Sequence, residues 1–451
     1  MSEQSAGGWR ATSPHGVHPV TPLVKTARVF PVFVAFFLTV GLEPTRLIGS
    51  LGVSAALLLI IVATALFNYL QWTRVSYWFD DDGDLRLRSG VLQVNERRVQ
   101  VSRLQSVDVT QPLLARLFGL AAVRPDVAGT GDRGTRIEYL AFEDAQRLRA
   151  ELLARSAGVH SGADQAAPVA PERTVLTVPP QVLLESLVLQ PATLVAVLAA
   201  AGVIVYAALS GQWFALVPSV VIVVSPVFMV GGQFLSWFGF TVAESPDGLR
   251  LRFGLTEHRA QTVPPGRVQA VRVEAPVMWR HRGWVRVLVN VAGASGGDEA
   301  KERPSVLLPV APLELARWVI GQVLPGTDPL TVPVVEVPRR ARWRAPLQRR
   351  RLATGSDERM FVARHGWLVP TWDAVPHART QSVRVTQGAW QRQLRLASVH
   401  VDSTPGPVRI KAAQRDEQEA RAIAEAQADR ARLARATAGP QRWMTRPEEP
   451  E

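Results

Sequence analysis

Val101-Ser102-Arg103-Leu104-Gln105-Ser106-Val107-Asp108-Val109-Thr110 decides the fold, because the chain writes it three times. Arg267-Val268-Gln269-Ala270-Val271-Arg272-Val273 is the second copy and Arg379-Thr380-Gln381-Ser382-Val383-Arg384-Val385 the third. Each Gln stands fifteen residues after a glycine (Gly90, Gly254, Gly366), eleven before an arginine (Arg116, Arg280, Arg392) and eighteen before a valine (Val123, Val287, Val399). Fourteen residues after the Gln come Gly119 and Gly283, where the third copy has Arg395. A register kept without gaps over such a span marks one module copied three times. Three long copies make three domains, not a solenoid.

The 451 residues leave room for three domains of ordinary size. With no cysteine there is neither a disulfide framework nor thiolate chemistry. A net charge of +12 comes largely from the C-terminal third, where Arg339, Arg340, Arg342, Arg344, Arg349, Arg350 and Arg351 crowd together. Such a cluster favours an anionic partner.

Outward from the repeats, apolar runs alternate with strand-rich segments. Val29 to Leu42 and Leu47 to Leu70 flank a short polar break, and Leu187 to Leu209 is followed by a second run from Trp213 to Phe238. Runs of about 20 apolar residues match the thickness of a hydrocarbon core. The expectation is therefore an α+β membrane protein: tail 1–22, transmembrane hairpin 23–72, repeat domain 73–156, linker 157–181, second hairpin 182–238, repeat domain 239–326, basic linker 327–356, repeat domain 357–437 and tail 438–451. Tyr77 to Phe79, a turn at Asp81-Asp82-Gly83 and Leu85 to Leu92 read as a β-hairpin. Closing helices are expected at 142–156, 312–324 and 412–435. One arginine lies in the two hairpin loops while the tails, linkers and domains are basic, so the domains are expected to face the cytoplasm.

Few residues point to chemistry. Gly129-Thr130-Gly131-Asp132-Arg133-Gly134 spells a dinucleotide motif, but a strand follows where that motif must open a helix. Asp80 to Asp84 begins like a calcium loop and lacks the acidic twelfth residue, Val91 standing there. The histidines have no paired spacing, and no nucleophile, base and oxyanion donor assemble. Neither a catalytic residue nor a cofactor or metal site is expected. The apolar runs hold no ionisable residue, which reads as anchoring instead of ion-coupled transport. Nor does the basic cluster carry the aromatic sheet or recognition helix of a nucleic-acid binder.

Arg86 and Arg88 match Arg250 and Arg252 in register. These pairs read either as solvated strand faces or as contacts to lipid phosphates. The cluster at 339–351, with Trp343 among it, reads as a headgroup contact near the membrane interface. Arg103, Gln105, Gly119, Arg267, Gln269, Gly283, Arg379 and Gln381 are expected to be structural, each organising a strand or turn of its own module.

The Arg-x-Gln-x-Val strand, the Pro/Leu-rich turn after it and the run Arg116-Leu117-Phe118-Gly119-Leu120 resemble the bacterial pleckstrin-homology (PH) domain of YdbS/YdbT-like membrane proteins. The order of hairpins and domains is similar to the YdbT type over about residues 25 to 435. Copy three departs at Arg395 and at Ser403-Thr404-Pro405-Gly406, which replaces the Val-Ala-Gly of the other copies. The resemblance implies a bent antiparallel sheet closed by a C-terminal helix, and a non-enzymatic role in envelope homeostasis or stress resistance. As partners it implies membrane lipids and another protein or a second copy, a smaller YdbS-like protein among them. A transporter or lipid-handling component is the alternative.

Overall fold

The computed structural model describes residues 15–22, 47–80, 82–90, 93–127, 137–156, 173–211, 216–245, 248–263, 265–292, 306–324 and 328–437. The sequence motif at 129–134 and the first arm of the expected first hairpin, 23–46, lie outside them. Two compact units divide the chain: Met1–Val169 with Glu257–Gln261, and Ala170–Thr256 with Thr262–Glu451.

In the first unit, β1 (His15–Gly16) pairs with β2 (Ser76–Phe79), which follows helix α1 (Leu47–Trp72). The expected hairpin forms between β2 and β3 (Leu85–Ser89), with β4 (Asn95–Val99) as third strand. Gly83, at φ +80°, closes its turn by donating to the Asp80 carbonyl at 2.9 Å. A second meander, β5 (Leu104–Pro112), β6 (Leu120–Val127) and β7 (Ile137–Ala141), leads into α2 (Phe142–Ser156). Leu148 and Leu152 sit four apart on α2 and are fully buried with Val107, Val123 and Leu85. Each such side chain contributes about 1.5–3 kcal/mol of burial. Along its side away from β6, β5 takes residues 257–260 as an antiparallel neighbour.

The second unit opens with β8 (Arg173–Thr177) and three helices, α3 (Pro180–Val188), α4 (Pro191–Ser210) and α5 (Leu216–Trp237). α4 is by length and composition sufficient to cross a membrane. It packs against α5, and both leave large apolar side chains exposed, among them Leu198, Leu209, Val227 and Phe228. The apolar run read from Leu187 begins in fact at Pro191. Proline at the first helical position starts α4, while Leu183 and Leu187 turn into the second module's core and the Ser186 carbonyl accepts the Trp279 Nε1 proton at 3.0 Å.

The remaining strands repeat one plan twice. The second module holds β9 (Thr241–Ser245), β10 (Gly248–Phe253), β11 (Glu257–Val263), β12 (Val268–Glu274), β13 (Trp284–Val291), β14 (Val306–Pro312) and helix α6 (Leu313–Val323). After the two-residue β15 (Val335–Glu336), the third has β16 (Ala353–Ser356), β17 (Met360–His365), β18 (Thr371–Pro376), β19 (Ser382–Thr386), β20 (Leu396–Asp402), β21 (Ile410–Asp416) and α7 (Glu417–Thr437). The third helix therefore starts five residues later than expected. Ile410 and Ala412 alternate inward as a strand, and Asp416 caps the helix by accepting the Gln418 amide at 2.9 Å. The strands join as one sheet in the order β14-β13-β12-β18-β17-β16-β15, so the second module's second meander pairs with the third module's first.

The repeated residues do the same mechanical work in all three modules. Arg103, Arg267 and Arg379 each end a 3₁₀ turn from which the motif strand starts. Gly119, Gly283 and Arg395 occupy the left-handed region at φ +66°, +62° and +49°. At these positions the amides donate to the carbonyls of Arg116, Arg280 and Arg392, and the carbonyls accept the first amide of each closing helix, Phe142, Leu313 and Glu417. The Arg395 substitution thus keeps the geometry and bears the steric cost of a side chain there.

Candidate functional site

A cleft of about 930 Å³ opens on the third module. Three stretches build most of it, and His365 at the end of β17 completes the wall. Residues 344–348 follow the 3₁₀ turn Arg339–Trp343; β19 supplies Arg384; and the end of β20, the loop at 403–406 and the start of β21 supply His400, Asp402, Arg409 and Lys411. The loop that distinguishes this copy, Ser403-Thr404-Pro405-Gly406, is part of the wall. It is fixed from beneath by Asn290 of β13, whose amide nitrogen donates to the Thr404 and Val408 carbonyls at 3.0 and 2.8 Å and whose oxygen accepts the Val408 amide at 2.9 Å. Gly406 is required by this approach, because a Cβ there would stand 2.2 Å from Asn290 Oδ1.

Electrostatically the cleft is positive. Its carboxylate, Asp402, accepts Arg384 Nε and Nη2 at 2.7 and 3.0 Å and the Ser382 hydroxyl at 2.7 Å. The bond from Arg384 holds the Asp402 carboxyl below its ordinary range, and Asp402 in turn raises Arg384. That pair cancels, while among the described residues no carboxylate forms an ion pair with Arg344, Arg409 or Lys411. Two histidines lie in the wall. Burial lowers His400, with Lys411 and Arg384 adding to the shift, and burial lowers His365 against the opposing pull of Asp373. Both rings are thus neutral near pH 7 and charge only as the medium becomes acidic. An anion of phosphate size with an organic appendage fits the volume and the charge; among the described residues there is no grouping of metal ligands.

The arginines singled out from sequence are placed unequally. Arg344 lines the cleft. Arg340 clips Asp416 and the Arg395 carbonyl, and the Arg350 and Arg351 carbonyls receive the Arg364 guanidinium. Arg342 lies over the Trp343 ring, and Arg339 is exposed while Arg349 is half-buried. Arg88 and Arg252 are exposed, but Arg86 is held by Asp80 and Glu96 at 3.0 Å each and Arg250 is buried. The matched pairs therefore do not form matched faces. Among the repeat residues, the Gln269 side chain is buried and donates to the Arg267 carbonyl, Gln381 is exposed, and Arg103 is exposed at its turn. Arg379 reaches beyond its own module to the Gly266 carbonyl at 2.8 Å, and its burial lowers its pKa. Gln105 lies in β5 by its backbone.

Arg384, Arg409, Lys411 and the histidines escaped the sequence reading. Arg384, His400 and Lys411 sit on three neighbouring strands and are gathered by the pairing of β20 with β19 and β21, while Arg409 comes from the loop just before β21 and His365 from the end of β17.

Three segments of the chain, residues 32–156, 182–327 and 306–431, match the family model described as bacterial PH domain. The UPF0699 transmembrane protein YdbT of Bacillus subtilis (strain 168) is 19% identical over 333 residues. That alignment covers 66% of each chain, so the match spans just under two thirds of the relative. No solved structure matches.

Proposed function

The chain belongs to the bacterial PH domain family and is YdbT-like, and from that membership we propose that it is a membrane-anchored, non-enzymatic scaffold. Its three modules form a platform for protein assembly, divided along the chain as the sequence predicts. The observation that carries this reading is the junction between the second and third modules. β12 and β18 share a ladder, Arg272 pairs with Asp373, and Asn290 holds the facing loop. Modules joined through continuous backbone hydrogen bonds make a fixed surface, where a domain that opens and closes over a substrate would need a hinge.

Anchoring rests on α4 and α5, which carry no Asp, Glu, Lys, Arg or His, and on α1 as the described arm of a first hairpin. Such uncharged helices favour an anchor over the transporter alternative. The positive-inside bias puts the modules in the cytoplasm. Envelope homeostasis or stress resistance is the setting that the resemblance implies. Crosslinking the full chain in native membranes, followed by alkaline extraction and identification of captured polypeptides, tests the reading. Retention in the membrane with reproducible capture of a partner is the expected outcome; release by alkali, or an uncrosslinked monomer throughout, defeats it.

A second reading has its own support in the cleft, where Arg344, Arg409 and Lys411, with no carboxylate partner among the described residues, suit the phosphate of an anionic headgroup. Binding of short-chain phosphatidylglycerol but not short-chain phosphatidylcholine to the detergent-solubilised full chain, weakened by R409E and K411E, is its expected result. Equal binding of both would rule it out.

A further inference from the structure

Two junctions in the chain obey one rule. In each, the first strand of a module's second meander takes, along its outer side, the third strand of another first meander. β5 takes residues 257–260 with Thr110 opposite Arg259 and Val109 opposite Ala260. β12 takes β18 with Glu274 opposite Thr371 and Val273 opposite Trp372. Counted from the repeat, Thr110 and Glu274 both stand five after the motif Gln, and Arg259 and Thr371 both stand five after the repeat glycine. The register is the same at both junctions.

β19 is the third module's counterpart of β5 and β12. Among the described residues it is an edge strand: β20 and β21 lie to one side, and no strand lies along the other. Its residues are mostly exposed, Val385 at 42%. Edge strands are normally blunted by bulges, proline or inward charges, and β19 has no proline and pairs with β20 without a register shift.

We propose that β19 is a socket that accepts, in trans, the third strand of a PH-like first meander from a different polypeptide, in the register Val385 opposite the residue six after that partner's repeat glycine. The proposal rests on the scaffold reading and names the surface through which it assembles. The chemistry of the incoming strand follows from Arg384. Arg384 is already held by Asp402 on its own sheet, and its counterpart Arg272 faces Asp373 in a buried bidentate pair, so the partner strand carries Asp or Glu at the position facing Arg384 and shares that guanidinium with Asp402. A second copy of this chain does not qualify. Its own third strand β4, paired with β3 and an edge strand among the described residues, would set Arg97 opposite Arg384 in the same register, and like charges directly opposite oppose pairing.

The test uses the full-length chain in native membranes with a photoactivatable benzophenone residue at Val385, and at Trp390 as an exposed control outside the strand. The expected result is an adduct at 385 at least five-fold above 390, mapped by peptide sequencing to such an acidic strand of another polypeptide, and reduced at least five-fold by R384D and partly by R384Q. Unchanged limited proteolysis of both variants shows that they fold. No adduct at 385, an adduct to β4 of a second copy, an adduct outside a strand of this kind, or indifference to R384D each overturns the socket. Partners captured elsewhere while 385 stays silent would leave the scaffold reading standing, whereas no partner at any position sinks both.

Discussion

Arg272 and Asp373, 101 residues apart, meet across the β12–β18 ladder with Nε to Oδ1 at 2.6 Å and Nη2 to Oδ2 at 2.8 Å. Asp373 is completely buried and Arg272 largely so. Removing one partner strands the other charge away from water. D373A should lower stability by about 3–5 kcal/mol, measured by denaturant unfolding of the detergent-solubilised protein. D373A combined with R272M should recover much of that loss, because a buried pair is replaced by apolar packing.

His365 borders the same pair, its Nδ1 3.8 Å from Asp373 Oδ2. Burial lowers its pKa, so the unfolded chain binds the proton more readily than the folded one. The sign follows: this contribution is complete above the unfolded value near pH 6.5 and is lost as pH falls toward the folded value. Stability measured downward from pH 7.5 should begin to fall near pH 6.5, and H365Q should flatten that part of the curve.

At Arg395 a non-glycine residue bears φ +49° where Gly119 and Gly283 do the same work freely. R395G should stabilise the protein by about 1 kcal/mol, and G119A or G283A should cost a similar amount. No heavy atom lies within 4 Å of a Cβ at either glycine, so the expected loss there is conformational strain alone. Thermal melts of the variants check both signs.

Gly366 is a harsher case. At φ +88° a Cβ would come within 1.9 Å of the Val369 carbonyl oxygen, as would one at Gly90 against Gln93. G366A should therefore cost more than G283A, by about 2 kcal/mol or above, seen as a larger drop in unfolding midpoint.

Asn290 serves several backbone groups of the cleft loop at once. N290A leaves the buried Val408 amide and carbonyl unsatisfied, at about 1–3 kcal/mol per group. Loss of stability should come with faster amide exchange confined to 403–408, which hydrogen-exchange mass spectrometry resolves.

The modules were legible because their spacing is a property of the chain: Gly, Gln, Arg and Val at fixed separations dictate a turn, a strand start, a second turn and a core position. The hairpin of β2 and β3 and the helix at Phe142–Ser156 were readable from alternation and helical periodicity. The start of α7 was not, because Ala412 and Ala413 suit a helix by propensity while the pairing with β20 puts the segment into a strand. The cleft was hidden for a related reason. Local sequence does not state which strand lies beside β20, and without that neighbour Arg384, His400 and Lys411 are scattered cations. The pairing of Arg272 with Asp373 is equally silent in sequence, since both residues look like ordinary charges on alternating strands.

Strand sharing between modules also sets a timetable for synthesis. A ribosome adding about 5–20 residues per second delivers Asp373 roughly 5–20 s after Arg272, given the 101 residues between them. During that interval β12 exists with its outer side bare. Nascent chains crowded on one messenger would meet with such edges unguarded, and the misassembly to expect is one chain's β18 landing on another chain's β12.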